Sequence, residues 1–161
     1  MKKTLLTISF IAGMLAGQAQ KVSLYHPEDN ASVEIDKAIE KARQEHKHVF
    51  IQVGGNWCSW CILFNGFVTQ DPSLDSLLKA DYIVYHLNYS QENKNEKLLA
   101  KYGFPQRFGF PVFLILDEKG NRLHTQNSEY LEEGHGYNKK KVTDFFHAWS
   151  VAALDPAQYN K

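Results

Sequence analysis

Cysteine is scarce in this chain: there are two in 161 residues, Cys58 and Cys61, three positions apart. Such a pair excludes a disulfide scaffold, because one bridge closing so small a loop hardly constrains the unfolded chain. An excess of one charge is also missing, with 18 Lys and Arg against 18 Asp and Glu. That balance removes the electrostatic reason to expect nucleic acid or an anionic membrane as a partner. Short basic runs such as Lys139-Lys140-Lys141 read as a solvated helix start. The apolar run Leu5 to Ala16 has only twelve residues, whereas a membrane-spanning helix needs about 20. No internal repeat and no linker divides the chain.

What is present begins with an export pattern. Lys2 and Lys3 precede the apolar run, and Gly17-Gln18-Ala19 follows with the small-x-small spacing of a secretory cleavage site. We read residues 1–19 as a signal peptide cut near Ala19 and residues 20–161 as the folded domain, periplasmic or secreted. An uncleaved anchor is the competing reading. No cysteine lies near the site to carry a lipid. Cleavage removes two of the 18 basic residues and no acidic one, leaving 16 against 18. Ten Phe, eight Tyr and three Trp suit a well-packed core.

Periodicity orders the rest. Ile35, Ala38, Ile39 and Ala42 define a helix face, and His48 to Val53 reads as a buried strand ended by Gly54-Gly55. The cysteines follow at once, and Ile62 to Val68 carries them into a helix. Asp71-Pro72 ends that helix and caps another. Tyr82 to Leu87 is a second strand. Ser90 is the expected cap of a helix whose Leu98, Leu99 and Tyr102 face inward, stopped by Gly103. Val112 to Leu116 is a central strand, Asp117 to Gly120 a turn, and Asn121 to Thr125 its hairpin partner. Residues 126–137 read as irregular. Asn138 then caps a last helix facing inward through Val142, Phe145, Phe146 and Trp149. The order predicts an α/β fold with a mixed central sheet flanked by helices.

A Cys-x-x-Cys between a strand end and a helix start has a chemical rationale. Unpaired backbone N–H groups and the macrodipole favour an anion there, which lowers the Cys58 thiol below its free pKa of about 8.5. The thiolate attacks a partner disulfide, and Cys61, one helical turn on, resolves the mixed disulfide. The alternatives are a structural disulfide, a zinc site and a binding module that no longer turns over. Zinc requires two more ligands, and His46 and His48, flanking Lys47, read as solvated surface. We expect no metal and no cofactor.

Trp57-Cys58-Ser59-Trp60-Cys61 after a strand, the strand entry Gly109-Phe110-Pro111-Val112-Phe113, and the Asp117-x-x-Gly120 turn resemble the thioredoxin superfamily. The similarity spans roughly residues 31–154 and is strongest to exported bacterial thioredoxin-like proteins. It implies a thioredoxin-like fold, a cis Phe110–Pro111 bond beside the cysteines, and a Phe110 backbone that receives an extended peptide by strand addition. It also implies that Trp57 and Trp60 shape the rim of the site. Protein thiols and disulfides, together with a redox partner protein, are then the expected partners. A monomer is the expected state. Three positions depart from the family. Gln52 stands where a buried acid is usual, and His86 aligns with its usual lysine partner. An amide cannot take a proton from the resolving thiol but a neutral imidazole can, so His86, directly or through water, is the candidate base for Cys61; a hydrogen-bonded core or surface histidine is the competing reading. Ser59-Trp60 replaces the usual Gly-Pro, and Gly66 replaces a helix-kinking proline. The implied activity is thiol–disulfide exchange in either direction, since proteins of this fold range from about −270 to −120 mV. A non-catalytic peptide- or protein-binding module is the second reading.

Overall fold

A run of seven residues with every position buried, His48–Gly54, forms the first strand, β1, and the rest of the molecule is arranged about it. The structure is a computed structural model and describes residues 23–160. The expected signal segment, residues 1–19, lies outside the described residues.

Helix α1 (Ala31–Glu45) precedes β1, capped by the Asn30 side chain on Val33 N–H and ended by His46 in the left-handed region. Its buried face contains Ile35, Ala38, Ile39 and Ala42, the stripe expected from the periodicity. After β1 come α2 (Ser59–Gln70), α3 (Pro72–Asp81) and β2 (Tyr82–Asn88). Asp71 accepts from Ser73 and Leu74 N–H and starts α3, with Pro72 in the first turn. The short α4 (Glu96–Lys101) leads to β3 (Val112–Leu116) and β4 (Arg122–Asn127), then to two-residue strands β5 (Glu132–Glu133) and β6 (Gly136–Tyr137). Helix α5 (Lys139–Ala148) closes the order, capped by Asn138.

The main sheet runs β2-β1-β3-β4. β1 and β2 are parallel, while β3 is antiparallel to both β1 and β4. It is the mixed sheet that the element order predicts. Helices α1 and α4 cover one face over Val49, Ile51, Val53, Leu87 and Leu114. Helices α2, α3 and α5 cover the other, packing Phe64, Leu74, Leu78 and Phe146 onto Phe50 and Phe113. No helix among the described residues is long and apolar enough to cross a membrane.

Three expectations are corrected. Ser90 does not cap α4, which starts at Glu96 without a side-chain cap. Asn88 donates to Ser90 Oγ and the Asn93 carbonyl, and Asn95 donates to the Asn88 carbonyl, so this asparagine network holds residues 90–95 as a loop. Residues 126–137 are more ordered than expected, because Leu131 and Tyr137 are buried in the α5 face. His48 is not solvated: it is 4% exposed, and its Nδ1 lies 2.8 Å from the Trp149 carbonyl.

Candidate active site

Gly54, the last residue of β1, leads through Gly55-Asn56-Trp57 to Cys58, the N-cap of α2. The Cys58 sulfur accepts the Cys61 N–H at 3.2 Å, so a thiolate there would meet a donor already in place. Cys58 and Cys61 are joined as a disulfide with Cα atoms 5.2 Å apart. Cys58 keeps 5% of its surface exposed and Cys61 none. An incoming sulfur can therefore reach only the first of the pair.

The Phe110–Pro111 peptide is cis, and Phe110 packs against the small cluster of Tyr25, Cys58 and Cys61. The half-exposed Trp57 meets Phe110 edge-on at 5.5 Å between ring centroids and donates its indole N–H to the Tyr89 carbonyl. Trp60 lies on the other side, edge-on to Tyr137, whose hydroxyl donates to the Trp60 carbonyl at 3.3 Å. Open grooves flank this ridge. One, of about 570 Å³, is lined by Trp57, Tyr89 and Gln91 among others. Another, of about 350 Å³, is lined by Trp60, Phe108, Phe110 and Glu129 among others.

Beneath the pair, Gln52 and His86 are register partners on β1 and β2. Gln52 is buried, and its side-chain nitrogen donates to the Cys61 carbonyl at 2.9 Å and to the Tyr25 hydroxyl at 2.6 Å. His86 meets the Tyr25 ring edge-on at 5.6 Å and makes no hydrogen bond to Cys61 among the described residues. Burial, and to a smaller extent the nearby His26, lowers its pKa to about 4. The imidazole is thus neutral near pH 7, as a base must be, and any proton transfer from Cys61 would have to pass through water.

Sequence reasoning missed three residues. Tyr25 is fully buried against the disulfide although it sits in a polar lead segment. Asn56 accepts from the Leu24 and Tyr25 amides and donates to Ser23 Oγ and the Tyr25 carbonyl, which holds that lead in place. Gly54 is required by space: a Cβ there would lie 2.4 Å from the Cys61 sulfur and 2.8 Å from the Tyr25 hydroxyl oxygen. A lone tyrosine among polar residues and a Gly-Gly pair abutting the motif were the available signals.

The model of a family described as thioredoxin-like matches residues 29–118, more than half of the chain. The chain belongs to the thioredoxin-like family. No curated protein matches it. Several solved structures share the thioredoxin-like fold. A crystal structure described as a disulphide isomerase from Xylella fastidiosa Temecula1 is 21% identical with a TM-score of 0.67, over 76% of this chain and 93% of that one. A structure described as DsbH oxidoreductase is 21% identical with a TM-score of 0.54, over 86% and 94%. The reduced C-terminal domain of DsbD from Neisseria meningitidis is 19% identical with a TM-score of 0.53, over 75% and 96%. At these identities the likeness is one of fold, and this thioredoxin-like chain adds to it a Cys-x-x-Cys pair at the N-terminus of α2.

Proposed function

We propose that this chain is an extracytoplasmic thiol–disulfide oxidoreductase that exchanges disulfides with proteins through Cys58 and Cys61. The observation that carries the reading is the disulfide at the N-terminus of α2, with Cys58 at the surface edge, Cys61 sealed, and Phe110–Pro111 packed beside them. In the reducing direction the Cys58 thiolate attacks a substrate disulfide, and one substrate sulfur leaves as a thiolate. The deprotonated Cys61 then attacks Cys58, which forms the Cys58–Cys61 bond and releases the second substrate thiolate. Two electrons pass to the substrate, and a redox partner protein restores the dithiol. The oxidising direction is the same sequence reversed. Trp57, Trp60 and Phe110 form the apolar rim that holds an extended peptide, with Pro111 next to the sulfurs. The chain works as a monomer, and the apolar segment in residues 1–19 directs its export.

Equilibrating the folded chain with glutathione buffers and then with a model protein disulfide tests the chemistry. The expected result is a pair that titrates between reduced and oxidised forms and exchanges with the protein. A pair that stays oxidised below about −300 mV would overturn the reading in favour of a binding module with a fixed disulfide. Export is tested separately by expressing residues 1–161 in a bacterial host. Sequencing the exported product should give an N-terminus at Gln20, whereas retention of the uncut chain in the cytoplasm would reject that part.

A further inference from the structure

The hydrogen-bond geometry under the disulfide leaves one hydrogen without a destination. The Cys61 carbonyl oxygen can only accept, so the Gln52 atom 2.9 Å from it must be the amide nitrogen. The same nitrogen lies 2.6 Å from the Tyr25 oxygen, which therefore accepts its second hydrogen. The hydroxyl hydrogen of Tyr25 must then point elsewhere, and among the described residues no nitrogen or oxygen takes it. Tyr25 is 0% exposed, so bulk water does not reach it. Tyr25 clusters with the disulfide, and its hydroxyl and the Cys61 sulfur both lie over the bare Cα of Gly54, although no hydrogen bond joins them while the disulfide is closed. A buried donor without a nitrogen or oxygen acceptor among the described residues lies in the same cluster as a sulfur that becomes anionic during exchange.

We propose that Tyr25 turns its hydroxyl hydrogen to the Cys61 sulfur as the disulfide opens and stabilises the thiolate that forms there. The proposal rests on the oxidoreductase reading. When an external thiolate attacks the Cys58 sulfur, a new S–S bond forms at Cys58 and the Cys58–Cys61 bond breaks. Its electron pair leaves on Cys61, and no proton moves in that step. A low-basicity leaving thiolate departs faster, and a hydrogen bond to a charged group is among the stronger kinds. Tyr25 keeps its own proton throughout, since burial pushes its pKa up. The titratable groups that bear on this pocket are Tyr137 from β6, acting on Tyr25, and His86 from β2, itself biased by His26. No carboxylate appears among the charges acting on Tyr25 or His86. The phenol thus supplies a hydrogen-bond donor for the resolving cysteine's sulfur, while Gln52 donates to that residue's carbonyl.

The test is the rate at which a small dithiol reduces the Cys58–Cys61 disulfide of the full chain, normalised to dithiol thiolate, for the unmodified protein and Tyr25→Phe. The expected result is a rate about three- to tenfold lower in Tyr25→Phe, from a less stable leaving thiolate. A purely structural role predicts the opposite, because loosening the packing exposes the sulfur and speeds attack. An unchanged or faster rate in folded Tyr25→Phe overturns the proposal. A ring-fluorinated tyrosine at position 25 keeps the shape and strengthens the donor, so it should raise the rate. This arm decides the matter if Tyr25→Phe does not fold, and a lowered or unchanged rate there also overturns it. The assay uses no protein substrate. Failure of the unmodified chain to exchange with proteins would therefore remove the parent reading without moving this result.

Discussion

At Gly54 the bare Cα is shared by the Cys61 sulfur and the Tyr25 hydroxyl, and no turn or left-handed backbone is needed to explain the glycine. A methyl group added there meets both, and neither neighbour is the free end of a flexible chain. Gly54→Ala should therefore destabilise the fold by about 1–3 kcal/mol, the usual range for overpacking a dense interior. Urea unfolding of the oxidised protein measures it, and a loss below a few tenths would show that the pocket has slack. His86 carries a second prediction at this scale. Its pKa in the folded chain is lowered to about 4, chiefly by burial, against about 6.5 when unfolded. Between those values the unfolded chain binds the extra proton and the folded chain does not. Stability conferred by the neutral imidazole is thus present above pH 6.5 and is lost as pH falls toward 4. Unfolding free energies measured across that window should decline with acidification in the native protein, with a shallower decline in His86→Leu.

Among the elements, α2 has the most unusual composition. It is apolar on more than its buried face, and Ile62 and Leu63 remain exposed next to the cysteines. It also runs unbroken from Ser59 to Gln70 through Gly66, the position where the resemblance leads one to look for a kinking proline. Outside the helix's own backbone, the one atom of the described residues within 4 Å of a Cβ at Gly66 is the Gln70 side-chain nitrogen at 3.6 Å, an ordinary contact with a mobile group. Gly66→Ala should therefore stabilise the protein by about 0.5–1 kcal/mol through helix propensity and reduced unfolded-state freedom. Thermal unfolding would detect the gain, whereas a loss would mean that exchange or packing needs a bend here. The helices with clean stripes, α1 and α5, were legible in the sequence because burial and period agree. The α4 boundary was not. Three asparagines between residues 88 and 95 satisfy backbone groups locally, so the loop competes successfully with a helix that Ser90 would otherwise have started.

Across the whole molecule, the site is assembled from chain segments far apart in sequence, and that distance set what sequence reasoning could reach. The cysteines, Pro111 and the Gln52–His86 register were readable from motif and strand order. The floor of the site was not, because residues 23–25 have no period and their contacts lie about thirty positions downstream. Asn56 makes those contacts, imitating a strand edge with one amide that accepts two backbone N–H groups and donates twice. The lead segment carries Tyr25 into the core, so Asn56 controls from the surface whether the disulfide has a floor. Asn56→Ala removes the clamp but leaves Tyr25 and both cysteines intact. The Leu24 and Tyr25 amides should then exchange with solvent hydrogen at least tenfold faster, the effect of losing about 1.4 kcal/mol of local protection. The sheet amides of Phe50 and Leu114, in the strands that hold the main core, should keep their rates. Equal acceleration at all four amides would mean that the lead and the sheet open together, and that the floor is part of the global fold rather than a segment held by one side chain.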